Sequence, residues 1–347
     1  MSVKHAALNV VNSALRPLDL RIARSSQLDR LCGRQTTAPS FNESLLPEGA
    51  PEYLRPDNPR LVELQRRYKA LGHPAAASSQ WSDAFVSTDI DLRYFRGDNA
   101  YVYQFRGSNT ELHFILTAYY TKTIDALGLL DRLSEDDLFG VYLFDFNNGR
   151  KASRDLLDSV NEIYFLERAL GISRRPGLSL LDIGAGYGRL AHRATRALPE
   201  LGRVFCADAV AASTFVSEYY LRFRGADDRA EVVPLDELEG RLAGQRVDLA
   251  VNIHSFSEIP RSAIEWWINF IRRLEVRHFM VVPNPYEHGG SRLESLEADG
   301  SRTDYLPVLA AAGYRRVTAE PKYLDREVQK YGVSPTTYHL FELTGRA

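Results

Sequence analysis

A short glycine-rich segment in the second half of the chain carries the clearest chemical signal. An apolar run at 178–183 leads into Gly-Ala-Gly-Tyr-Gly at 184–188, and an acid lies two positions before the first glycine. Because glycine has no Cβ, such a turn lets a ligand approach the backbone closely. A helix predicted at 190–198 would point its first N–H groups at the same place, where they favour an anionic group. The segment predicts a cofactor site made by Asp182, Gly184, Ala185, Gly186 and Gly188.

The spacing of the glycines separates two kinds of nucleotide cofactor. Dinucleotide sites prefer G-x-G-x-x-G, in which the turn holds a pyrophosphate. This chain has G-x-G-x-G, and the carboxylate of Asp182 would repel a pyrophosphate. An acid suits a cofactor that carries an ammonium group and a sulfonium but no phosphate. The pattern resembles motif I of class I methyltransferases, which implies S-adenosylmethionine as the cofactor.

Two further acids follow the next two apolar runs. Asp208 comes twenty residues after Gly188, and an acid at the end of the second strand can accept both ribose hydroxyls. It supports a nucleoside cofactor without choosing between adenosylmethionine and NAD, and Ala209 beside it is assigned to the same site. Asp236 is placed to meet the adenine amino group, and the alternative for it is a helix N-cap.

The segment Asn-Ile-His-Ser-Phe-Ser-Glu at 252–258 follows the fourth predicted strand. Ligands of open α/β sheets lie beyond the carboxyl ends of the strands, so this loop should face the reacting methyl group. Histidine has a suitable pKa for removing a hydroxyl proton near neutral pH, which makes His254 the predicted general base. The alternative is a histidine that only bonds a neighbouring backbone group. Glu258 could orient His254, act as the base itself or cap the next helix, and Asn252 is predicted to contact the cofactor.

The segment after the fifth predicted strand supplies candidate substrate ligands. Asn284, Tyr286 and His288 could reach substrate hydroxyls, although their Pro- and Gly-rich surroundings are also typical of a mobile loop. A metal site made by His254, Glu258 and His288 is not predicted, because no tight ligand spacing supports it. Mg²⁺ stays open only because some sugar methyltransferases use a divalent ion.

Strands and helices alternate from residue 153 onward. The apolar runs lie at 178–183, 204–207, 231–233, 247–253 and 279–282, and the helical segments at 153–170, 190–198, 215–223 and 264–274. This alternation predicts a mostly parallel, doubly wound, Rossmann-like α/β sheet with helices on both faces. Two more strands are predicted at 314–319 and 338–343. One antiparallel strand there would be typical of the methyltransferase variant of this fold.

The first 150 residues lack this alternation. We expect residues 1–150 to form a mainly helical region with substrate or subunit contacts, and 151–347 to form the cofactor-binding domain. Pro59–Leu71 is predicted as a helix and 40–59 as a long loop. The aromatic stretch 89–105 suits a carbohydrate ligand, because aromatic rings stack on the C–H face of a sugar. The alternative is that these rings are plain core.

Composition excludes several classes of protein. The net charge of the 347 residues is −2, which argues against a general nucleic-acid binder. Cys32 and Cys206 are too far apart in sequence to indicate a disulfide framework, which fits the cytoplasm, and Cys206 is predicted to be a buried strand residue. No run approaches the roughly 20 apolar residues of a membrane span, so stable membrane insertion is not expected. A homo-oligomer is left open.

Several segments together resemble a family of bacterial sugar O-methyltransferases. They are Ser-Arg-Asp-Leu-Leu-Asp-Ser at 153–159, the glycine-rich segment 182–190, Asp-Ala-Val at 208–210, Ser-Glu-Tyr-Tyr-Leu at 217–221, 252–258 and Phe-Arg-Gly-Asp-Asn at 95–99. The resemblance implies methyl transfer to a hydroxyl of a sugar in a glycosylated natural product, a nucleotide sugar or a polysaccharide. A non-sugar acceptor and a catalytically silent cofactor-binding scaffold are the alternatives.

Arg154 lies in the first of these segments. It could bind the cofactor carboxylate with both arms of its guanidinium group. The alternative is an ion pair with Asp155 or Asp158.

Overall fold

The structure is a computed structural model that describes residues 10–18, 22, 45–103, 111–146 and 150–344. Its helices there are α1 (Ala50–Tyr53), α2 (Pro59–Leu71), α3 (Asp83–Asp89), α4 (Glu111–Ile124), α5 (Leu129–Arg132), α6 (Arg154–Leu170), α7 (Arg189–Ala197), α8 (Ala211–Phe223), α9 (Leu238–Leu242), α10 (Arg261–Arg273), α11 (Leu306–Ala311) and α12 (Arg326–Tyr331). Its strands are β1 (Phe144–Phe146), β2 (Arg150–Ala152), β3 (Leu180–Ile183), β4 (Val204–Ala207), β5 (Ala230–Val232), β6 (Leu249–Ile253), β7 (His278–Val282), β8 (Tyr314–Pro321) and β9 (Thr337–Leu343).

Seven strands form the central sheet, in the order β5-β4-β3-β6-β7-β9-β8. The first five are parallel, and β9 runs antiparallel to both β7 and β8. The predicted doubly wound, mostly parallel sheet with one antiparallel strand near the C-terminus is therefore confirmed. The strand order reverses between β3 and β6, which opens a crevice at their carboxyl ends.

The central strands are buried on both faces, as parallel sheets covered by helices must be. Along β3, Leu181 and Ile183 pack into the core on one face of the sheet, whereas Leu180 packs into the core on the other. Cys206 is fully buried in β4, as predicted. Cys32 lies outside the described residues.

Helix α6 shows how local sequence sets the limits of these elements. The Ser153 hydroxyl accepts a hydrogen bond from the Leu156 N–H (3.1 Å), which satisfies one of the free donors of the first turn. The helix ends at Gly171, whose φ of 62° lies in the left-handed region that glycine adopts without strain. Both limits agree with the sequence prediction.

The N-terminal region packs onto the sheet beside α8. The α2 helix has the predicted limits, and its Arg60 forms an ion pair with Glu218 of α8 (2.6 Å). The prediction of an uninterrupted loop at 40–59 is wrong, since α1 lies within it. The reason is that Tyr53 stacks on Phe215, with 5.3 Å between ring centroids, so this segment gains apolar packing. Residues 40–44 lie outside the described part.

The aromatic stretch at 89–105 divides between core and cavity. Phe95 is fully buried against Phe139 and Tyr187, so it is plain core. Tyr101 lines the cavity described below. Phe105 lies outside the described residues. Within the described ranges, no helix has the length and apolar character needed to cross a bilayer.

Candidate active site

A cavity of about 930 Å³ lies beyond the carboxyl ends of β3, β4 and β6, between the sheet and the segment that carries α2 and α3. This volume is at the upper end of the usual range for small-molecule sites, and has room for a nucleoside cofactor and a small acceptor. The cavity brings together eight of the residues predicted from the sequence. They are Asp182, Gly184, Ala185, Gly186, Asp208, Ala209, His254 and Glu258.

Each of the three glycines in the turn is needed for a different structural reason. A Cβ on Gly184 would lie 2.2 Å from Ser255 Oγ, so this glycine allows the loop after β6 to cross the turn. Gly186 faces the ring of Tyr101, with 3.3 Å from its hypothetical Cβ to the nearest ring carbon. A Cβ on Gly188 would lie 2.9 Å from Ser217 Oγ. Gly188 is absent from the cavity wall and allows the close contact of α7 with α8, and its assignment to the cofactor stays a prediction.

Asp182 and Asp208 are buried acids in the wall of the cavity. Burial raises the pKa of Asp182 to about 7, although the positive charge of Arg189 opposes this shift. Burial also raises the pKa of Asp208 to about 6, although hydrogen bonds from two backbone N–H donors lower it. Those donors are Gly186, at 2.9 Å from Oδ2, and Val210, at 2.8 Å from Oδ1. In the described residues no ion pair neutralises Asp182, so a cation in the cavity would stabilise its ionised form.

Besides Gly188, three predicted cofactor ligands lie outside the cavity wall. Arg154 donates to Asp158 (3.1 Å) and to the Tyr103 carbonyl oxygen, so the ion-pair alternative is the one observed. Asp236 accepts a hydrogen bond from Arg67 Nε of α2 (2.7 Å). Its side chain caps no helix, so the N-cap alternative is not observed.

Asn252 is the third of these predicted cofactor ligands outside the cavity wall. It is fully buried and donates to the Ile183 carbonyl oxygen (2.9 Å) and to Ser255 Oγ (2.5 Å). Its amide therefore fixes the loop behind the cavity instead of facing a ligand.

His254 lines the cavity in a strained conformation. Its φ of 68° and ψ of −36° are unusual for a residue with a Cβ, and such strain stores about 1–3 kcal/mol, commonly at functional sites. The backbone N–H donates to the Val282 carbonyl oxygen (2.7 Å), which holds the loop in place. Burial, and then the charge of Arg154, lower the pKa of His254 to about 3. The imidazole is therefore neutral at neutral pH and is a weak base.

Glu258 has a different environment on the same loop. Its Oε2 accepts from Trp81 Nε1 (2.8 Å), and its Oε1 accepts from Asn284 Nδ2 (3.0 Å). Burial raises its pKa above the ordinary value, while both donors lower it. Helix α10 has no side-chain cap, so the capping role considered for Glu258 is wrong. Its carboxylate bonds Trp81 and Asn284, which leaves the base role open and gives no support to the role of orienting His254.

The three predicted substrate ligands lie behind Glu258 and not in the cavity wall. Asn284 reaches Glu258 as described, and the Tyr286 hydroxyl donates to the Ser257 carbonyl oxygen (3.1 Å). His288 Nε2 lies 3.4 Å from Glu294 Oε2. These contacts support the loop, and direct substrate contact by the three residues stays a prediction. Among the residues that the structure describes, no group of three His, Cys, Asp or Glu side chains could hold a metal ion.

Two aromatic residues of the cavity wall stack on each other, of which Tyr101 belongs to the aromatic stretch singled out in the sequence and Trp81 had no clear signal there. Trp81 lies just before α3 and stacks on Tyr101, with 5.7 Å between ring centroids and 29° between planes. The Tyr101 hydroxyl is bonded to Ser213 Oγ (3.0 Å). An isolated tryptophan in an irregular segment has no periodicity that would place it here, and only its residue type, which is common in ligand sites, could have drawn attention to it.

No protein-family model and no curated protein matches the chain. Similar solved structures include the [4+2]-cyclase SpnF, with 18% identity, a TM-score of 0.39 and coverage of 67% of this chain and 97% of the cyclase. A precorrin-6y C5,15-methyltransferase from Geobacter metallireducens has 17% identity and a TM-score of 0.35, over 54% and 88% of the two chains. A SAM-dependent methyltransferase from Aquifex aeolicus has 15% identity and a TM-score of 0.36, over 51% and 89%. Likeness at this level assigns neither a family nor a reaction to the chain.

Proposed function

We propose that the protein is an S-adenosylmethionine-dependent methyltransferase that acts on a hydroxyl group of a sugar or glycoside. The observation that supports it best is the pair of buried acids, Asp182 and Asp208, in one cavity beside the glycine-rich turn. A buried carboxylate gains most from a cation, and an ammonium group beside Asp182 would meet that need. Asp208 would accept the ribose hydroxyls.

The acceptor would lie between the cofactor and the loop after β6. Trp81 and Tyr101 offer ring faces to the cavity, and Glu258 offers a carboxylate for a hydroxyl. This combination of aromatic and acidic side chains suits the C–H face and the hydroxyl groups of a sugar. The resemblance of 252–258 to sugar O-methyltransferases points the same way.

Bound adenosylmethionine would supply an electrophilic methyl group with a neutral thioether as the leaving group. In the proposed reaction the acceptor oxygen forms the new C–O bond as the C–S bond breaks, and the sulfur keeps the bonding electron pair. The protein's part is to hold the hydroxyl in line and to take its proton. Glu258 is favoured over His254 for the proton, because its pKa is raised whereas that of His254 is lowered to about 3.

Calorimetric titration with S-adenosylhomocysteine tests the cofactor. Wild type should bind it, and Asp208→Ala should weaken binding by at least about tenfold, because one charge-assisted hydrogen bond is worth that much or more. Asp248→Ala is the matched control, since its carboxylate also accepts a backbone N–H but lies at the amino end of β6, away from the cavity, and should not affect affinity. No binding by wild type, or equal losses in both variants, would refute the proposed site.

Transfer of a labelled methyl group to a panel of nucleotide sugars and glycosides tests the acceptor. Activity on a sugar that is lost in Glu258→Gln and retained in part by His254→Ala is expected. Activity only on phenols or amines would refute the sugar acceptor while leaving methyl transfer intact. Cofactor binding with no acceptor in either panel would favour the silent scaffold.

A further inference from the structure

The segment at 78–81 is fixed directly against the loop that carries Glu258. The Gln80 N–H donates to the Glu258 carbonyl oxygen (3.2 Å), and Ser79 Oγ donates to the Leu296 carbonyl oxygen. The Trp81 N–H donates to Ser78 Oγ (2.7 Å). Trp81 therefore has a set position relative to Glu258, although 177 residues separate them in the sequence.

The indole of Trp81 makes one of two polar contacts that the structure gives the Glu258 carboxylate. Its N–H donates at 2.8 Å, and Asn284 donates at 3.0 Å to the other oxygen. An indole N–H can only donate, so it cannot adapt to a protonated carboxyl by becoming an acceptor. Such a bond is stronger to an ionised oxygen than to a neutral one. The contact therefore favours the ionised carboxylate in a site where burial disfavours it.

The other side of the indole packs toward the glycine-rich turn. Trp81 stacks on Tyr101, and Phe85 meets it edge-on with 5.6 Å between centroids and 84° between planes. Tyr101 in turn covers Gly186 and bonds Ser213. The indole thus stacks on Tyr101, meets Phe85 edge-on and has its one donor on Glu258, which leaves it little freedom to rotate.

We propose that Trp81 is a positioning residue for Glu258, whose indole N–H keeps the carboxylate ionised and directed into the cavity for the acceptor hydroxyl. This inference rests on the proposed function, in which Glu258 accepts the proton. Asn284 helps from outside the cavity, whereas Trp81 lines the cavity and carries part of the acceptor surface itself.

Other titratable groups share the surroundings of Glu258. Asp208 lies across the cavity and interacts with its charge. His254 lines the cavity from the same loop. The Tyr286 hydroxyl lies 3.5 Å from Asn284 Nδ2, and the Arg302 guanidinium lies 3.7 Å from the centre of the Tyr286 ring. A test must therefore separate Glu258 from these groups.

Tryptophan fluorescence of the purified full chain, titrated with acid and base, provides that test without any ligand. Wild type should show a step from protonation of Glu258 beside Trp81, with a midpoint above the usual glutamic acid pKa of about 4.3. Trp266 is a second reporter, because it meets the titratable ring of His73 edge-on with 4.4 Å between centroids. The comparison is therefore made in Trp266→Phe, where the Glu258 step should remain and should vanish when Glu258→Gln or Trp81→Phe is added. A step that persists in Trp266→Phe with Glu258→Gln, or the absence of a step in Trp266→Phe alone, would overturn the proposal.

Kinetics with an acceptor found in the glycoside panel provide the second test. Trp81→Phe keeps one aromatic ring and removes the donor. The acidic limb of its kcat profile should move up by about one pH unit, with a roughly tenfold lower kcat on that limb. An equal loss at every pH would indicate a purely structural role and overturn the proposal. Failure of wild type to bind S-adenosylhomocysteine would instead refute the proposed function, and the fluorescence test would still decide whether Trp81 controls Glu258.

Discussion

Arg96 and Glu135 form an ion pair inside the protein, with 2.6 Å between guanidinium nitrogen and carboxylate oxygen and side-chain exposures of 0% and 1%. Arg96 also donates to Asp155 at the start of α6 (3.1 Å), and Glu135 also accepts from Arg193 of α7. These charges join the N-terminal region to the helices that flank the glycine-rich turn. Removing Arg96 would leave the buried Asp155 carboxylate with the Tyr187 hydroxyl and, among the described residues, no cationic partner, while Glu135 would keep Arg193.

Arg96→Met should therefore destabilise the protein strongly. Losing one partner of a buried pair costs about 3–5 kcal/mol in the free energy of unfolding, which urea denaturation measures. The control is Arg273→Met, which breaks an exposed pair with Glu239 and should cost less than about 1 kcal/mol. Similar losses in the two variants would mean that the Arg96 cluster does not hold the N-terminal region to the sheet.

Gly184→Ala should lower the free energy of unfolding by more than the strain of a positive φ alone would. An alanine at φ 74° is strained, and its Cβ would also lie 2.2 Å from Ser255 Oγ. Gly177→Ala isolates the first effect, because its φ is 75° and nothing lies within 4 Å of a Cβ there. We expect about 1–2 kcal/mol for Gly177→Ala and clearly more for Gly184→Ala.

A double variant separates collision from strain at the same turn. Gly184→Ala with Ser255→Gly removes the atoms that collide. Because Ser255→Gly also removes the hydrogen bond from Asn252, the reference is Ser255→Gly alone. Adding Gly184→Ala to Ser255→Gly should cost only about as much in urea denaturation as Gly177→Ala does in wild type. If it costs as much as Gly184→Ala does in wild type, the close crossing of the two loops is not the reason for the glycine.

The sheet and the glycine-rich turn could be predicted because their signals are local. Each apolar run and each helix of the second half is encoded in a continuous stretch, and Asp182 and Asp208 lie at the ends of such runs. A parallel sheet brings strand ends together whatever the details of the sequence. The prediction of the cofactor side of the cavity needed no knowledge of long-range contacts.

The acceptor side could not be predicted in the same way. Trp81 meets Glu258, and Arg67 occupies Asp236, only because the irregular N-terminal region folds back over the carboxyl edge of the sheet. No periodicity in that region indicates where it packs. For the same reason the sequence did not indicate that Arg67 binds Asp236 or that Arg154 reaches the Tyr103 carbonyl oxygen, whereas the Arg154–Asp158 pair was among the alternatives.

The affinity for S-adenosylhomocysteine should rise with pH because of Asp182. Its pKa of about 7 lies above the ordinary value, so the unliganded site holds a proton below neutral pH. The ammonium group of the ligand needs the ionised carboxylate, and binding must then release that proton. Below neutral pH the affinity should therefore fall by about tenfold for each pH unit, until the pKa of the occupied site is reached.

Calorimetry in buffers of different ionisation enthalpy would measure both the affinity and the proton released. Asp182→Asn should bind weakly at every pH and release no proton near neutral pH. Any dependence of affinity on pH that remains in this variant at lower pH would belong to Asp208, whose pKa is about 6.

The raised pKa of Asp182 also predicts that the unliganded protein loses stability as pH rises from the unfolded pKa of about 4 to about 7, because the folded chain holds the Asp182 proton more tightly than the unfolded chain does. A wild-type affinity that is flat between those pH values would mean that no cation binds beside Asp182, and the ammonium-bearing cofactor would have to be abandoned.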